Sequence, residues 1–393
     1  MLSRVSMVNI PNHKGNLLPR LKLILMQLLL FLMIFVPRTA QSIKLRLLML
    51  LFAVVIVGVL VTGKIRINQV TRIFMSLFLI YACMSGAIGL MRSNPGASDF
   101  IRVNIIYYIL FTFIISIIST STEFERINKI IIFSANAVSI YSILLLLVSL
   151  GVWPPQYFYY FDVTSNVGIH SGYIHLTNTN LSMMIFILPY IMTLRLNNYN
   201  FKTIKKRQLT FAFILGTIAV LISGRRILWL SFMIPLFFYL IKIDKSKILK
   251  FFKKNFIFLI VVSLFLVALS FSSYLSFDDM IVRFKDVFTG DEGNIRISQI
   301  EALWRGFLEN PILGSGAGVG VPEVIRSHTS PWIYEVSYNL VLYNSGILGS
   351  LFFFSSLLYL FGKLYSEKLK GDILAEAILV AYITVLISNA TNP

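Results

Sequence analysis

The residues able to do chemistry in this chain stand where charge or glycine interrupts long apolar stretches. Ser223-Gly224-Arg225-Arg226 separates two apolar runs that together far exceed the thickness of a bilayer, so the arginines mark a turn. Guanidinium groups there can snorkel to lipid phosphates, or they can clamp a phosphate or pyrophosphate bidentately. Arg296 begins a second segment, running from Asn294 to Pro311, in which Ile300, Leu303 and Phe307 recur at helical spacing. Arg296, four residues before Ile300, is expected on that apolar face at the helix start, where the macrodipole favours anions. Ligand binding and an internal cap or salt bridge are both open to it. Glu301, Arg305 and Glu309 fall on the opposite face, as a ladder of solvated charges.

Gly314-Ser315-Gly316-Ala317-Gly318-Val319-Gly320 follows no strand and lacks the Gly-Lys-Ser/Thr ending of a nucleotide loop. Its amides, at Gly314 and Gly316 above all, could cradle an anion, or the run could be a plain flexible loop. Beyond it lies His328-Thr329-Ser330-Pro331-Trp332-Ile333-Tyr334-Glu335. Ser330 followed by Pro331 predicts a helix start, which would bring Glu335, Tyr338, Asn339 and Leu342 to one side. A carboxylate at the membrane boundary is costly unless paired, so Glu335 either meets an arginine or serves as a general base or acceptor-sugar ligand. His328 is the second candidate base, and otherwise a loop residue. His170 and His175 stand five apart around a glycine, which is not a metal spacing. Tyr157 to Phe161 and Asp162 suit an interfacial aromatic belt, or sugar stacking. No metal site and no cofactor is expected.

The elements that position these residues follow from composition. Of 393 residues 57% are hydrophobic and 13% charged, and the mean hydropathy is +0.79, which defines a polytopic membrane protein. Apolar stretches near the roughly 20 residues a spanning helix needs fall at 22–37, 46–63, 72–91, 101–118, 129–150, 173–194, 209–223, 227–243, 255–275, 341–362 and 373–389. The expected fold is all-α, with about eleven transmembrane helices and one large external loop containing short helices. The first stretch imitates a secretory signal, but Pro37-Arg38-Thr39-Ala40 offers no cleavage site, so it reads as a retained anchor. The lone cysteine, Cys83, allows neither a disulfide nor a thiolate metal site.

Lysine and arginine favour the cytoplasmic side of short loops. Arg195, Lys202, Lys205, Lys206 and Arg207 fill one such loop, and Lys242, Lys245, Lys247, Lys250, Lys253 and Lys254 another. Both belong inside, which sends 151–172, the Gly224 turn and 276–331 outside. Five basic residues meet eight acidic ones within 276–331, as an external loop allows. Arg38, Lys44 and Arg46 disagree, because they would face outward. The net charge of +18 is mostly juxtamembrane and suits anionic lipid head groups, not nucleic acid. Three regions result: helices over 1–275, the external loop 276–331, and helices over 332–393, with room for a missing final helix.

Taken together, these segments resemble the O-antigen ligase and O-antigen polymerase superfamily of bacterial envelope enzymes. The resemblance rests on the external loop before the last helices, Ser223 to Arg225, the helix from Arg296 to Trp304, Asn310-Pro311-x-x-Gly314-x-Gly316 and Gly346-x-x-Gly349. It covers roughly residues 160–393. It implies a metal-independent glycosyltransferase that takes glycan from an undecaprenyl-pyrophosphate donor at the outer face of the bacterial cytoplasmic membrane. Arg225, helped by Arg226, and Arg296 would hold the donor pyrophosphate, with Gly314, Gly316 and Tyr338 as further substrate contacts. Ligases of this family usually carry a histidine about eleven residues before the Gly-x-x-Gly element. Glu335 stands there and His328 is out of register, which favours a polymerase acting on a lipid-linked repeat unit over a ligase acting on lipid A core. The implied partners are lipid-linked oligosaccharide, membrane lipids, and a flippase and chain-length regulator of the same pathway. A multi-helix transporter lined by Asn178, Thr179 and Asn180 is the rival reading, and a scaffolding subunit a third.

Overall fold

Inside a bilayer an apolar backbone can satisfy its polar groups only by bonding to itself, so runs free of charge become helices. The computed structural model describes residues 17–37, 40–62, 68–116, 121–149, 152, 167–170, 173–176, 179–242, 291–325 and 327–391. They form α1 (Leu17–Phe35), α2 (Gln41–Thr62), α3 (Gln69–Met91), α4 (Ala97–Ile101), a π-helical stretch (Arg102–Tyr107), α5 (Tyr108–Ser116) and α6 (Ser121–Ser149). An antiparallel hairpin of β1 (Val167–His170) and β2 (Tyr173–Leu176) and a 3-10 turn (Thr179–Met183) follow. The remainder is α7 (Met184–Leu196), α8 (Lys206–Ile222), α9 (Arg226–Lys242), α10 (Asp291–Glu309), α11 (Ser337–Leu369) and α12 (Ile373–Thr391).

The described fold is therefore helical, with one small hairpin that a purely helical expectation lacked. Among the described residues five helices are long and apolar enough to span a membrane: Gln41–Val61, Gln69–Met91, Glu123–Ser149, Ser337–Leu369 and Ile373–Ala390. The expected count of eleven is not confirmed among the described residues, where two of the apolar stretches are divided. The apolar stretch from residue 173 opens as strand and 3-10 turn before α7 begins, and the stretch from 101 is divided between α4, the π-helical turns and α5. Candidate 255–275, the loop's first part and Tyr157 to Asp162 lie outside the described residues.

Polar contacts fix which helix ends lie together. At one end Lys22 pairs with Glu123 at 2.7 Å, the Lys202 amide donates to Glu125, and Lys242 donates to Asn197 and to buried Glu376. This end gathers the basic residues of the α7–α8 connection. At the other end Asn180 donates to the Phe35 carbonyl, the Leu176 amide to the Ser223 carbonyl, and Tyr338 to the Leu386 carbonyl. Lys44, the exception to the charge rule, also belongs here: its buried ammonium donates to Val36 and Pro37 carbonyls at 2.6 and 2.8 Å. It caps α1, where a cation complements the C-terminal carbonyls.

α7 is buried along most of its length, among α6, α8, α9 and α12. α11 packs instead along α3, and it is broken. Gly346 has φ +59°, outside the helical region, so α11 is two helical pieces joined at a kink there, and Gly346-x-x-Gly349 opens the second. The break strands backbone groups that must be satisfied inside protein. Ile347 and Leu348 amides donate to the carbonyls of Pro311 and Ile312, while Tyr343 and Asn344 carbonyls accept from the amides of Ser315 and Gly316. The Asn310–Gly316 segment thus replaces the missing turn of α11.

Candidate functional site

α10 delivers Arg296, and the irregular chain just before α11 delivers Glu335. The buried face of α10 is Gln299, Ala302, Leu303, Gly306 and Phe307, whereas Ile300 is 39% exposed. Arg296 therefore points inward, as expected, but in register with Gln299 and Leu303 and not with Ile300. Its Nε donates to Glu335 Oε2 at 2.8 Å, with the two side chains 17% and 18% exposed. One N–H of five is spent in this pair, and among the described residues the terminal Nη groups make no further hydrogen bond. The predicted ladder residues Glu301, Arg305 and Glu309 are all exposed.

The helix expected from Ser330 and Pro331 does not form there. Ser327 Oγ takes the Ser330 amide and meets Thr329 Oγ1, which makes a turn, and α11 starts only at Ser337. Glu335 lies just before that start, on irregular chain, where its carboxylate makes the ion pair and its own amide donates to Gln299 Oε1 at 2.9 Å. Tyr334 beside it is buried against Leu303, Val321 and Val336, and its hydroxyl accepts the Val321 amide. Burial pushes that phenol above the ordinary tyrosine range, partly offset by the Val321 N–H. His328 is exposed on the turn.

The glycine run is a packed ribbon and not an open nest. Gly314, Gly316 and Gly318 all have positive φ, and a Cβ on any of them would strike backbone of residues 344–346, 88–89 or 96–97 respectively. The amides of Gly314, Ser315, Gly316 and Ala317 donate to Asn310, Tyr343, Asn344 and Ser85 carbonyls, and the Asn94 side chain binds the Ser315 and Ala317 carbonyls. Gly314 and Gly316 therefore have no free amide for an anion. Tyr338, likewise expected to contact substrate, spends its hydroxyl on Leu386 at 2.7 Å and so ties α11 to α12.

Arg225 sits on the α8–α9 turn, as its sequence context required. Gly224 makes the turn with φ +66°, and buried Ser223 accepts the Arg225 amide. The guanidinium Nη1 donates to Ser182 Oγ at 2.8 Å, a partner the sequence did not single out. Arg226 is the first residue of α9. Because Lys242 meets Glu376 at one end of α9 and α12, and Leu386 meets Tyr338 at the other, Arg225 occupies the same end of the bundle as Arg296 and Glu335.

A multi-pass helical membrane protein with arginines and a carboxylate gathered at one end is the class these features define. Residues 211–354 match the family model described as O-antigen ligase, a stretch that includes Arg225, Arg296 and Glu335. The match supports the O-antigen ligase and polymerase superfamily, and with it a membrane glycosyltransferase of ligase or polymerase type. A search of curated proteins returned no match.

Proposed function

We propose that this protein is a polysaccharide polymerase of about eleven transmembrane helices in the bacterial cytoplasmic membrane. It transfers glycan from an undecaprenyl-pyrophosphate donor to a lipid-linked repeat unit at the outer face. The supporting observation is the Arg296–Glu335 pair, which leaves the terminal guanidinium nitrogens for an anion while holding a carboxylate beside them. An acceptor hydroxyl gives its proton to Glu335 as its oxygen bonds to the donor's anomeric carbon. The bond from that carbon to phosphate breaks, and lipid pyrophosphate leaves with its charge stabilised by Arg296 and Arg225. Gly314, Gly316 and Tyr338 act in this reading by holding α11 and its loop in place. The regions 1–275, 276–331 and 332–393 serve as scaffold, external site and closing helices. A flippase and a chain-length regulator would supply and limit the substrate. Transfer to lipid A core, as in a ligase, is the alternative.

The test is purified protein with lipid-pyrophosphate-linked oligosaccharide. A ladder of repeat multiples is expected, and a single transfer to lipid A core would replace the polymerase reading with a ligase. Arg225→Ala and Arg296→Ala should each reduce product about a hundredfold or more while the protein still inserts; normal chain length in both would sink the mechanism.

A further inference from the structure

We infer that Gln299 is the positioning residue for Glu335, acting through the backbone and not on substrate. The inference rests on the reading of Arg296 and Glu335 given above. Glu335 stands on irregular chain just before α11, where no helix hydrogen bond fixes its backbone. Its amide is held instead by Gln299 Oε1, 2.9 Å away. Gln299 follows Arg296 by one helical turn on the buried face of α10. One turn of α10 therefore sets both ends of the site, with Arg296 holding the carboxylate and Gln299 the main chain beneath it. A carboxylate fixed at two points can be aimed at an acceptor hydroxyl. The backbone contact opposes any pull that pyrophosphate on Arg296 passes to the carboxylate.

A second observation separates this role from packing. Gln299 is fully buried, yet among the described residues its Nε2 has no hydrogen-bond partner. The amide cannot relieve this by flipping, because Oε1 must remain toward the donating Glu335 amide. A residue kept for stability alone would not leave two buried N–H donors unsatisfied, since an apolar side chain of the same size avoids that cost. What this glutamine supplies, and an apolar side chain would not, is its acceptor oxygen.

The experiment compares Gln299→Met, Gln299→Glu and Glu335→Gln in purified, monodisperse full-length protein. The probe is undecaprenyl-pyrophosphate-linked oligosaccharide extracted from cells lacking the protein. Methionine preserves volume and removes the acceptor, so kcat should fall about tenfold or more with KM and thermal melting nearly unchanged. Glutamate restores an acceptor oxygen at the same reach and should recover most of that loss. A methionine variant as active as wild type, or a glutamate variant no better than methionine, overturns the inference. If Glu335→Gln is itself fully active, it is the reading of Glu335 that falls, and the inference with it. Loss in Glu335→Gln beside a fully active Gln299→Met removes the inference alone.

Discussion

Glu335 and His328 were competing bases on sequence, and their surroundings now differ sharply. Glu335 is anchored at its carboxylate and its amide, whereas His328 stands exposed on a turn. A base must be held within reach of the proton it takes. Glu335→Gln should therefore lower kcat about a hundredfold or more, and His328→Ala should leave the polymerisation rate within about threefold of wild type. Single-turnover rates of both variants check this, and the reverse pattern would move the base to His328. The charged members of the site were legible in sequence because ionisable groups on apolar faces are costly and so conspicuous. Their pairing over 39 residues was an open alternative for each side chain separately. Gln299 and Ser182 were missed because a neutral polar side chain carries no such cost signature until its neighbours are known.

The Asn310–Gly316 and Gly346–Gly349 elements were visible as motifs, but their physical meaning required the fold. The apolar stretch 341–362 contains Asn344-Ser345-Gly346, and so short a polar interruption does not by itself reveal a break in α11. What the glycines permit is contact between two backbones. A Cβ at Gly314 would strike residues 344–346, and one at Gly346 would strike Ile312, so a side chain at either site forces the replacement turn away. Gly346 also has φ +59°, a strain of about 2 kcal/mol for an L residue. Gly346→Ala and Gly314→Ala should both reduce thermal stability and accumulation. Gly362, further along the same helix with nothing within 4 Å of a Cβ, supplies the control, because alanine there improves helix propensity by about 1 kcal/mol. Equal melting temperatures for Gly346→Ala and Gly362→Ala would mean that the stitched backbone does not hold α11 together.

At the scale of the whole molecule, the charge bias predicts which helix ends share a side. It follows a rule that needs no tertiary structure, and the contacts show only which ends lie together. α1, α6, α9 and α12 each present one end to the set containing Lys22, Glu123, Lys242 and Glu376, while Phe35, Arg225 and Leu386 lie at the other. Lys44 is an exception to the charge rule that its role as a cap for α1, and not as a solvated charge, accounts for. Apolar composition alone does not distinguish strand from helix, as at Tyr173–Leu176, nor does it show where one apolar stretch divides among several short helical pieces, as at 101–116. The orientation is what makes the proposed chemistry reachable by externally displayed glycan, so it can be tested without any substrate. In a Cys83→Ala background, the single-cysteine variants Glu323→Cys and Lys202→Cys place thiols at exposed positions on opposite ends of the bundle. A membrane-impermeant maleimide applied to intact spheroplasts should label Glu323→Cys and reach Lys202→Cys only after permeabilisation. The opposite labelling would put Arg225, Arg296 and Glu335 in the cytoplasm and rule out chemistry on externally displayed glycan.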